Sequence, residues 1–352
     1  MLTISIRSRI LAALLACTLT LGGTAAAQAS QCGVDRPLVF ADLDWDSAQL
    51  LTEFARVILE EGFGCATDAI QGSSMPMMQG AVRGDIDIYM EISGANMPTF
   101  WEEAVAAGTV VHLGTAFEAI QAFYVPRYLV EGDAERGIEA QAPDLRHVDD
   151  LPRYAHLFRD PEQPDKGRIY NCIIGWVCEG INNVKLQVYG LHEHFTNFRP
   201  GTGVALATTM QAAYLRGEPW LGYYWEPTWI LGQLDMLRLE EPAHDEACWD
   251  HMIRNVDTPE EATQACAYPE SAAVIALGSR YKDVIPDDIR SFLSSVRVPS
   301  EVMTDLLAFM EENDARPHEA ARHFLANEPE LWTFWLDDVD AAVVDRVQSA
   351  LR

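Results

Sequence analysis

The segment PLVFADLDWDSAQLLTEFARVILEE, residues 37–61, predicts a strand, a loop and a helix in succession. Pro37 to Ala41 is a short apolar run, and from Ser47 to Glu61 the apolar residues recur with helical spacing. The loop between them holds Trp45, flanked by two aspartates. Ligands of α/β sheets bind beyond the carboxyl ends of strands. Trp45 is therefore a candidate ligand contact, with packing over the following helix as the alternative.

The alternation of strands and helices continues along the chain. Asp85 to Ile92 predicts a second strand, Thr99 to Ala107 a helix, and Ser271 to Leu277 a late strand. Ala119 to Pro126 predicts a strand that crosses into a second unit, where further helices precede a strand ending at Trp225. This order favours an α/β fold with a mostly parallel sheet.

The length of the chain favours two domains. Its 352 residues exceed what one compact core usually holds. We predict a signal peptide at residues 1–29, lobe I from residues 30–123 plus 238–352, and lobe II from residues 124–237. Two crossings of the chain between the lobes would form a hinge.

The first residues predict export. Two arginines precede an apolar run from Ile10 to Leu21, and a small-residue cleavage site follows, so we place the cut after Ala29. Lipid attachment at Cys17 is the alternative. No later stretch approaches the roughly 20 apolar residues of a membrane span. We therefore expect a soluble protein outside the inner membrane.

Six cysteines remain after the predicted leader. An even set in an exported chain favours disulfides over zinc binding or a catalytic thiol, although six cysteines permit several connectivities. Proximity in the sequence gives three expected pairs: Cys32–Cys65, Cys172–Cys178 and Cys248–Cys266.

The chain is strongly acidic. Its net charge is -28 and becomes about -30 once Arg7 and Arg9 leave with the leader. Such a charge repels nucleic acid and anionic lipid, and favours a soluble monomer. It also suits a cationic or zwitterionic ligand, with adaptation to a saline habitat as the alternative explanation.

The segment NCIIGWVCEG, residues 171–180, places Trp176 between two cysteines just before a predicted helix. Indole faces attract quaternary ammonium groups through the ring quadrupole. The amides of Val177 and Cys178 at the helix start lack partners within the helix and suit a carboxylate. The segment thus favours a site for a zwitterion. The alternative is a surface loop constrained by a disulfide, with Trp176 packed beneath it.

The segment YYWEPTW, residues 223–229, places Trp225 at the end of a strand that Pro227 stops. Its ring is expected to project into a cleft between the lobes. Only some of the neighbouring aromatic residues can share that direction, because successive side chains of a strand point to opposite faces. Tyr223, Tyr224 and Trp229 are therefore assigned to packing.

Signals for catalysis and metal binding are weak. His192 and His194 alternate on a predicted helix and so point to different faces. The chain lacks the common nucleophile-elbow, zinc-protease and phosphate-loop motifs. We expect no enzyme, no cofactor and no metal site, with a secreted enzyme that uses Glu91 or Glu226 as general base as the competing class.

At these residues the chain resembles the substrate-binding proteins of glycine betaine, proline betaine and choline ABC transporters. The resemblance rests on the two aromatic segments and on the strand GDIDI, residues 84–88, and runs from about Pro37 to Trp335. It implies a type II periplasmic binding protein fold, in which two α/β lobes joined by a two-strand hinge close over a ligand. It also implies that the ligand is passed to an inner-membrane ABC permease.

The resemblance implies site residues from both lobes. They are the cage tryptophans Trp45, Trp176 and Trp225, the amide positions Val177 and Cys178, and Gln121 on the hinge strand.

One departure from the family pattern bears on the ligand. Where the betaine type has a tryptophan, this chain has Ser93 or Asn96, depending on the gap. Without this tryptophan the site has more room, or a polar side chain supplies hydrogen-bonding groups in place of the aromatic ring. We expect glycine betaine as the ligand, with choline, trimethylamine N-oxide or dimethylsulfoniopropionate as alternatives, and a role in sensing stays open beside transport.

Overall fold

The computed structural model of the protein describes residues 31–352. The predicted signal peptide, its cleavage site and Cys17 lie outside the described residues. Within residues 31–352, no helix combines the length and the apolar character that crossing a bilayer requires.

Nine strands within the described residues form the framework of the fold. They are β1 (Leu38–Leu43), β2 (Thr67–Gly72), β3 (Ile88–Ser93), β4 (Val110–Pro126), β5 (Gly167–Tyr170), β6 (Phe195–Phe198), β7 (Gly222–Glu226), β8 (Met236–Arg238) and β9 (Ser271–Gly278). The predicted strands correspond to β1, β3, β4, β7 and β9. The other four are short or mixed in polarity, so they carry no clear periodic signal.

Helices pack against this framework. They are α1 (Asp46–Val57), α2 (Ser74–Arg83), α3 (Pro98–Ala106), α4 (Arg127–Glu131), α5 (Leu151–Tyr154), α6 (Val177–Val188), α7 (Leu191–His194), α8 (Gly203–Arg216), α9 (Trp229–Gln233), α10 (Glu246–Arg254), α11 (Asp287–Ser295), α12 (Ser300–Glu312), α13 (Pro317–Asn327) and α14 (Ala341–Ala350). The helix predicted to end at Glu61 is α1 followed by a π-helical turn, Ile58–Gly62.

The strands lie in the order β2-β1-β3-β9-β4-β7-β5-β6, with β8 paired to β4. Within each lobe the pairs β1–β2, β1–β3, β5–β6 and β5–β7 are parallel. The pairs made by β4 and β9 are antiparallel. The prediction of a mostly parallel sheet was therefore wrong for the centre of the molecule, because the outgoing crossing strand β4 pairs with the returning strand β9.

The packing of α10 bears on the predicted lobe boundary at residue 237. Trp249 and Met252 of α10 are buried in the same apolar cluster as Ile169 and Ile181 of lobe II, and so is Tyr268. α10 therefore packs with residues of lobe II, and the boundary itself stays a prediction. Sequence inspection missed this because α10 joins its lobe through contacts distant in the chain.

Two of the three expected disulfides are present. Cys32 is bonded to Cys65 and Cys172 to Cys178. The pairing of Cys248 with Cys266 was wrong, since both are buried free thiols.

The Cys266 sulfur has several polar neighbours. It lies 3.9 Å from the carbonyl oxygen of Asp245 and 3.9 Å from the sulfur of Met252. Burial, aided by a hydrogen bond to Cys266, raises the pKa of the Cys248 thiol to about 12. Cys248 consequently stays protonated at neutral pH.

Candidate functional site

A cavity between the lobes collects the predicted ligand contacts. Its empty volume is about 660 Å³, including the opening to solvent. The predicted contacts that line it are Trp45, Ser93, Asn96, Gln121, Trp176, Val177, Cys178 and Trp225. The structure thus brings together residues that are up to 180 positions apart in the chain.

Trp45 enters the cavity from lobe I. It follows β1 and is the N-cap of α1, with an extended backbone at φ -143° and ψ 152°. Its indole Nε1 donates a hydrogen bond to Oε1 of Glu91 on β3 at 2.8 Å. This bond fixes the orientation of the ring against the wall of lobe I.

Trp176 enters from lobe II and contacts a ring on either side. It is the N-cap of α6, held beside the Cys172–Cys178 bond. Its ring centroid lies 5.7 Å from that of Trp45 at 78° and 5.2 Å from that of Trp225 at 84°. Edge-to-face contacts of this kind are favourable between aromatic rings. The three indoles therefore form one connected group that spans both lobes.

Trp225 lies on β7, where it pairs with Gln121 of β4. Its ring stacks on Tyr224 at a centroid distance of 4.6 Å and lies 6.2 Å from Tyr223. These neighbours hold the Trp225 ring in place.

A hydrogen-bonded network forms the polar wall. Asn96 Nδ2 donates to Gln121 Oε1 at 2.9 Å, and the Tyr223 hydroxyl donates to the same oxygen at 2.9 Å. Burial raises the pKa of Tyr223 above its ordinary range, so its hydroxyl remains a donor. Beside this network the hydroxyl oxygens of Ser93 and Ser271 are 2.8 Å apart.

The start of α6 supplies backbone donors. Val177 and Cys178 are its first two residues and line the cavity. Amides at these positions have no carbonyl partner within the helix, and the helix dipole favours an anion there. The cavity thus offers an anion site next to the rings.

Two of the hydrogen bonds between the lobes are donated by tryptophans. Trp176 Nε1 donates to Oδ1 of Asp44 at 2.7 Å, and Trp249 Nε1 donates to the carbonyl oxygen of Ala95 at 2.8 Å. Each joins a lobe II tryptophan to lobe I. The two bonds connect residues on opposite sides of the cavity region.

Sequence reasoning missed several cavity residues. Tyr223 was assigned to packing, yet it lies two positions before Trp225 on the same strand and so shares its face. That spacing was a usable signal. Tyr89 and Ser271 also line the cavity, and nothing in their sequence context distinguishes them. Glu91 was considered only as a general base, but it lines the cavity and holds Trp45.

Other residues lie elsewhere. The Trp101 ring packs near His112, at a centroid distance of 6.1 Å, and is not among the residues that line the cavity. His192 and His194 belong to the short helix α7. In the part of the chain that the structure describes, no group of three or more potential metal-binding side chains occurs.

Solved structures share this fold. A choline-binding protein of an ABC transporter in complex with choline aligns with a TM-score of 0.67 and 16% identity, covering 91% of this chain and 99% of its own. The glycine betaine, L-proline-binding protein (ProX) from Borrelia burgdorferi aligns with a TM-score of 0.66 and 15% identity, covering 90% and 100%. Lactococcal OpuAC complexed with glycine betaine aligns with a TM-score of 0.63 and 14% identity, covering 86% of this chain and 100% of its own. The predicted α/β, type II binding-protein fold is confirmed.

Sequence comparison points the same way. The glycine betaine-binding periplasmic protein OusX of Dickeya dadantii (strain 3937) is 29% identical over 114 residues, which span 31% of this chain and 34% of that protein. The match thus covers about a third of the relative's length. The family model for the substrate-binding domain of ABC-type glycine betaine transport systems matches residues 36–327. The chain therefore belongs to the family of substrate-binding domains of ABC-type glycine betaine transport systems.

Proposed function

We propose that the protein is a periplasmic receptor that captures a small methylated onium compound, with glycine betaine as the first candidate, and passes it to an inner-membrane ABC permease. The observation that carries this proposal is the group of three indoles, contributed by both lobes, around one cavity. The relatives named above bind glycine betaine or choline. Export, capture of the ligand as a monomer and delivery are parts of the same proposal.

The chemistry of the walls matches such a ligand. Each desolvated contact between a cation and an indole face contributes about 1 to 2 kcal/mol. The methylated cation contacts Trp45, Trp176 and Trp225, and the amides of Val177 and Cys178 bind its carboxylate. Closure follows from a ligand that stabilises the arrangement in which both lobes touch it.

Carboxyl groups beside the rings add a favourable field for a cation. Asp44, Asp46 and Glu311 line an adjoining cavity that shares the three tryptophans. These groups support a cationic or zwitterionic ligand over an anion.

The choice among onium compounds depends on the polar wall. Asn96 and Gln121 line the cavity and already bond to each other. A ligand that reaches them must offer an atom that can share this network. Glycine betaine, choline and trimethylamine N-oxide each have an oxygen for this purpose.

Calorimetric titration of the purified protein tests the proposal. The panel comprises glycine betaine, choline, trimethylamine N-oxide, carnitine and dimethylsulfoniopropionate. We expect at least one of them to bind with micromolar or tighter affinity, and the recovered ligand to be chemically unchanged. Absence of binding across the panel would refute the proposal, and a modified product would favour the competing enzyme function.

Removing the bond between the lobes should weaken binding. Asp44→Ala deletes the acceptor for Trp176 Nε1, and a hydrogen bond to a charged group contributes about 1.5 to 3 kcal/mol. We expect glycine betaine affinity to fall about tenfold. Asp44→Asn keeps an acceptor oxygen and should lose less. Equal affinities of wild type and Asp44→Ala would show that this bond does not stabilise the closed form.

A further inference from the structure

Glu91 is a carboxyl group in the wall of the cavity that the proposed cage does not use. It lies on β3 and lines the cavity together with the three indoles. One oxygen, Oε1, accepts the hydrogen bond from Trp45 Nε1. The other, Oε2, is buried and has no hydrogen-bond partner among the described residues. Burying a carboxyl oxygen without a hydrogen bond costs free energy of folding. Here such an oxygen lies beside the proposed cation site.

The surroundings of Glu91 contain acids and phenols. Tyr89 lies on the same strand, and the charges of Glu91 and Asp44 both act on it. Asp46 starts α1, and Tyr223 faces the cavity from β7. None of these groups supplies a positive charge.

The remaining walls supply no cation either. The residues contributed by β9 are Ser271, Ala272 and Ala273, and those at the start of α6 are Val177 and Cys178. Lysine, arginine and histidine are absent from the described residues that line the cavity. A charge on Glu91 therefore has no counter-ion from the lining residues.

The charge of Glu91 is accordingly sensitive to its surroundings. Burial raises the pKa of Glu91 to about 7, and the hydrogen bond from Trp45 offsets only part of this effect. Near neutral pH the empty site thus contains a mixture of the acid and the carboxylate. A cation placed nearby favours the carboxylate.

We propose that Glu91 is a specificity-determining residue that loses its proton to the solvent when an onium cation binds, and so favours guests with a net positive charge. This inference rests on the proposed function. Ionised Glu91 is the counter-charge that the lining residues otherwise lack. A zwitterion gains less from it, because its own carboxylate opposes the field of Glu91.

The direction of the pH dependence follows from this exchange. Well below the Glu91 pKa of about 7, binding of the cation must displace a proton from Glu91. The affinity therefore rises with pH by at most about tenfold per pH unit. Above that value Glu91 is already ionised in the empty site, so affinity becomes constant and proton release ends. The affinity for a net cation should therefore increase from pH 5 to about pH 7 and then level off.

Calorimetry measures the released proton directly. Choline and glycine betaine are each titrated into the full-length mature protein at pH 6 and pH 8, in buffers of different ionisation enthalpy. We expect close to one proton released per choline bound at pH 6 and almost none at pH 8. Glu91→Gln keeps an acceptor for Trp45 Nε1, so it should retain the fold. It should abolish the proton release and lower the choline affinity about tenfold at pH 8.

A matched control separates this effect from a general loss of charge. Glu102→Gln changes the net charge equally at an exposed position of α3 outside the cavity, and it should behave like wild type. Choline binding to wild type without proton release, or an unchanged ratio of choline to glycine betaine affinity in Glu91→Gln, would overturn the inference while leaving the receptor function intact. Failure of both compounds to bind wild type would overturn the proposed function, and this inference with it.

Discussion

Replacing Trp176 by alanine should weaken the binding of glycine betaine at least about tenfold, a loss of about 1.4 kcal/mol or more. Trp176 is the only indole of the three that contacts both others, and its Nε1 also bonds to Asp44 of lobe I. The change therefore removes a cation contact and a tie between the lobes. Titration calorimetry measures the affinity, and circular dichroism checks that the fold is kept.

Two further variants test whether the loss of glycine betaine affinity comes from the aromatic ring of Trp176. Trp176→Phe keeps an aromatic face with a weaker quadrupole and should bind with intermediate affinity. Phe334→Ala removes an aromatic ring that is 43% exposed and outside the cavity, so its affinity should equal that of wild type. Wild-type affinity in folded Trp176→Ala would eliminate the cage model.

Replacing Glu241 by alanine should lower the free energy of unfolding by about 3 to 5 kcal/mol. The side chains of Lys185 and Glu241 are 0% and 2% exposed, and Lys185 Nζ lies 2.7 Å from Oε2 of Glu241. Tyr189 donates to the same oxygen at 3.0 Å. Lys185 belongs to α6, so the variant leaves an unpaired charge beneath the helix whose first amides line the cavity.

Denaturant unfolding followed by circular dichroism measures this effect. Glu319→Ala breaks an exposed ion pair with Arg316 and a hydrogen bond from the Arg316 backbone N–H, and it should cost much less than Glu241→Ala. The double variant Lys185→Met with Glu241→Leu removes both charges and should recover much of the loss. A cost below about 1 kcal/mol for Glu241→Ala alone would show that the buried pair does not stabilise lobe II.

The sequence predicted the cavity better than it predicted the packing around it. Trp176 and Trp225 stand in short segments whose cysteines, proline and strand end constrain the rings locally, and the structure brings both to one cavity. The residues that were missed depend on distant contacts. Ser271 lies beside Ser93 only because β9 returns next to β3.

The errors have the same physical origin. The position of α10 in lobe II depends on burial of Trp249 against residues far away in the chain, and no local pattern reports it. The expected bond between Cys248 and Cys266 rested on sequence distance, which says nothing of where a sulfur points. Local chemistry was therefore predictable, and the tertiary neighbours were not.

We propose that indoles from both lobes recognise the positive charge of the guest and not its shape alone. Glycine betaine can be compared with the tert-butylacetate anion, in which carbon replaces the cationic nitrogen at nearly constant shape. We expect wild-type protein to bind glycine betaine at least about tenfold more tightly than this anion in titration calorimetry. Equal affinities for the two compounds would contradict it.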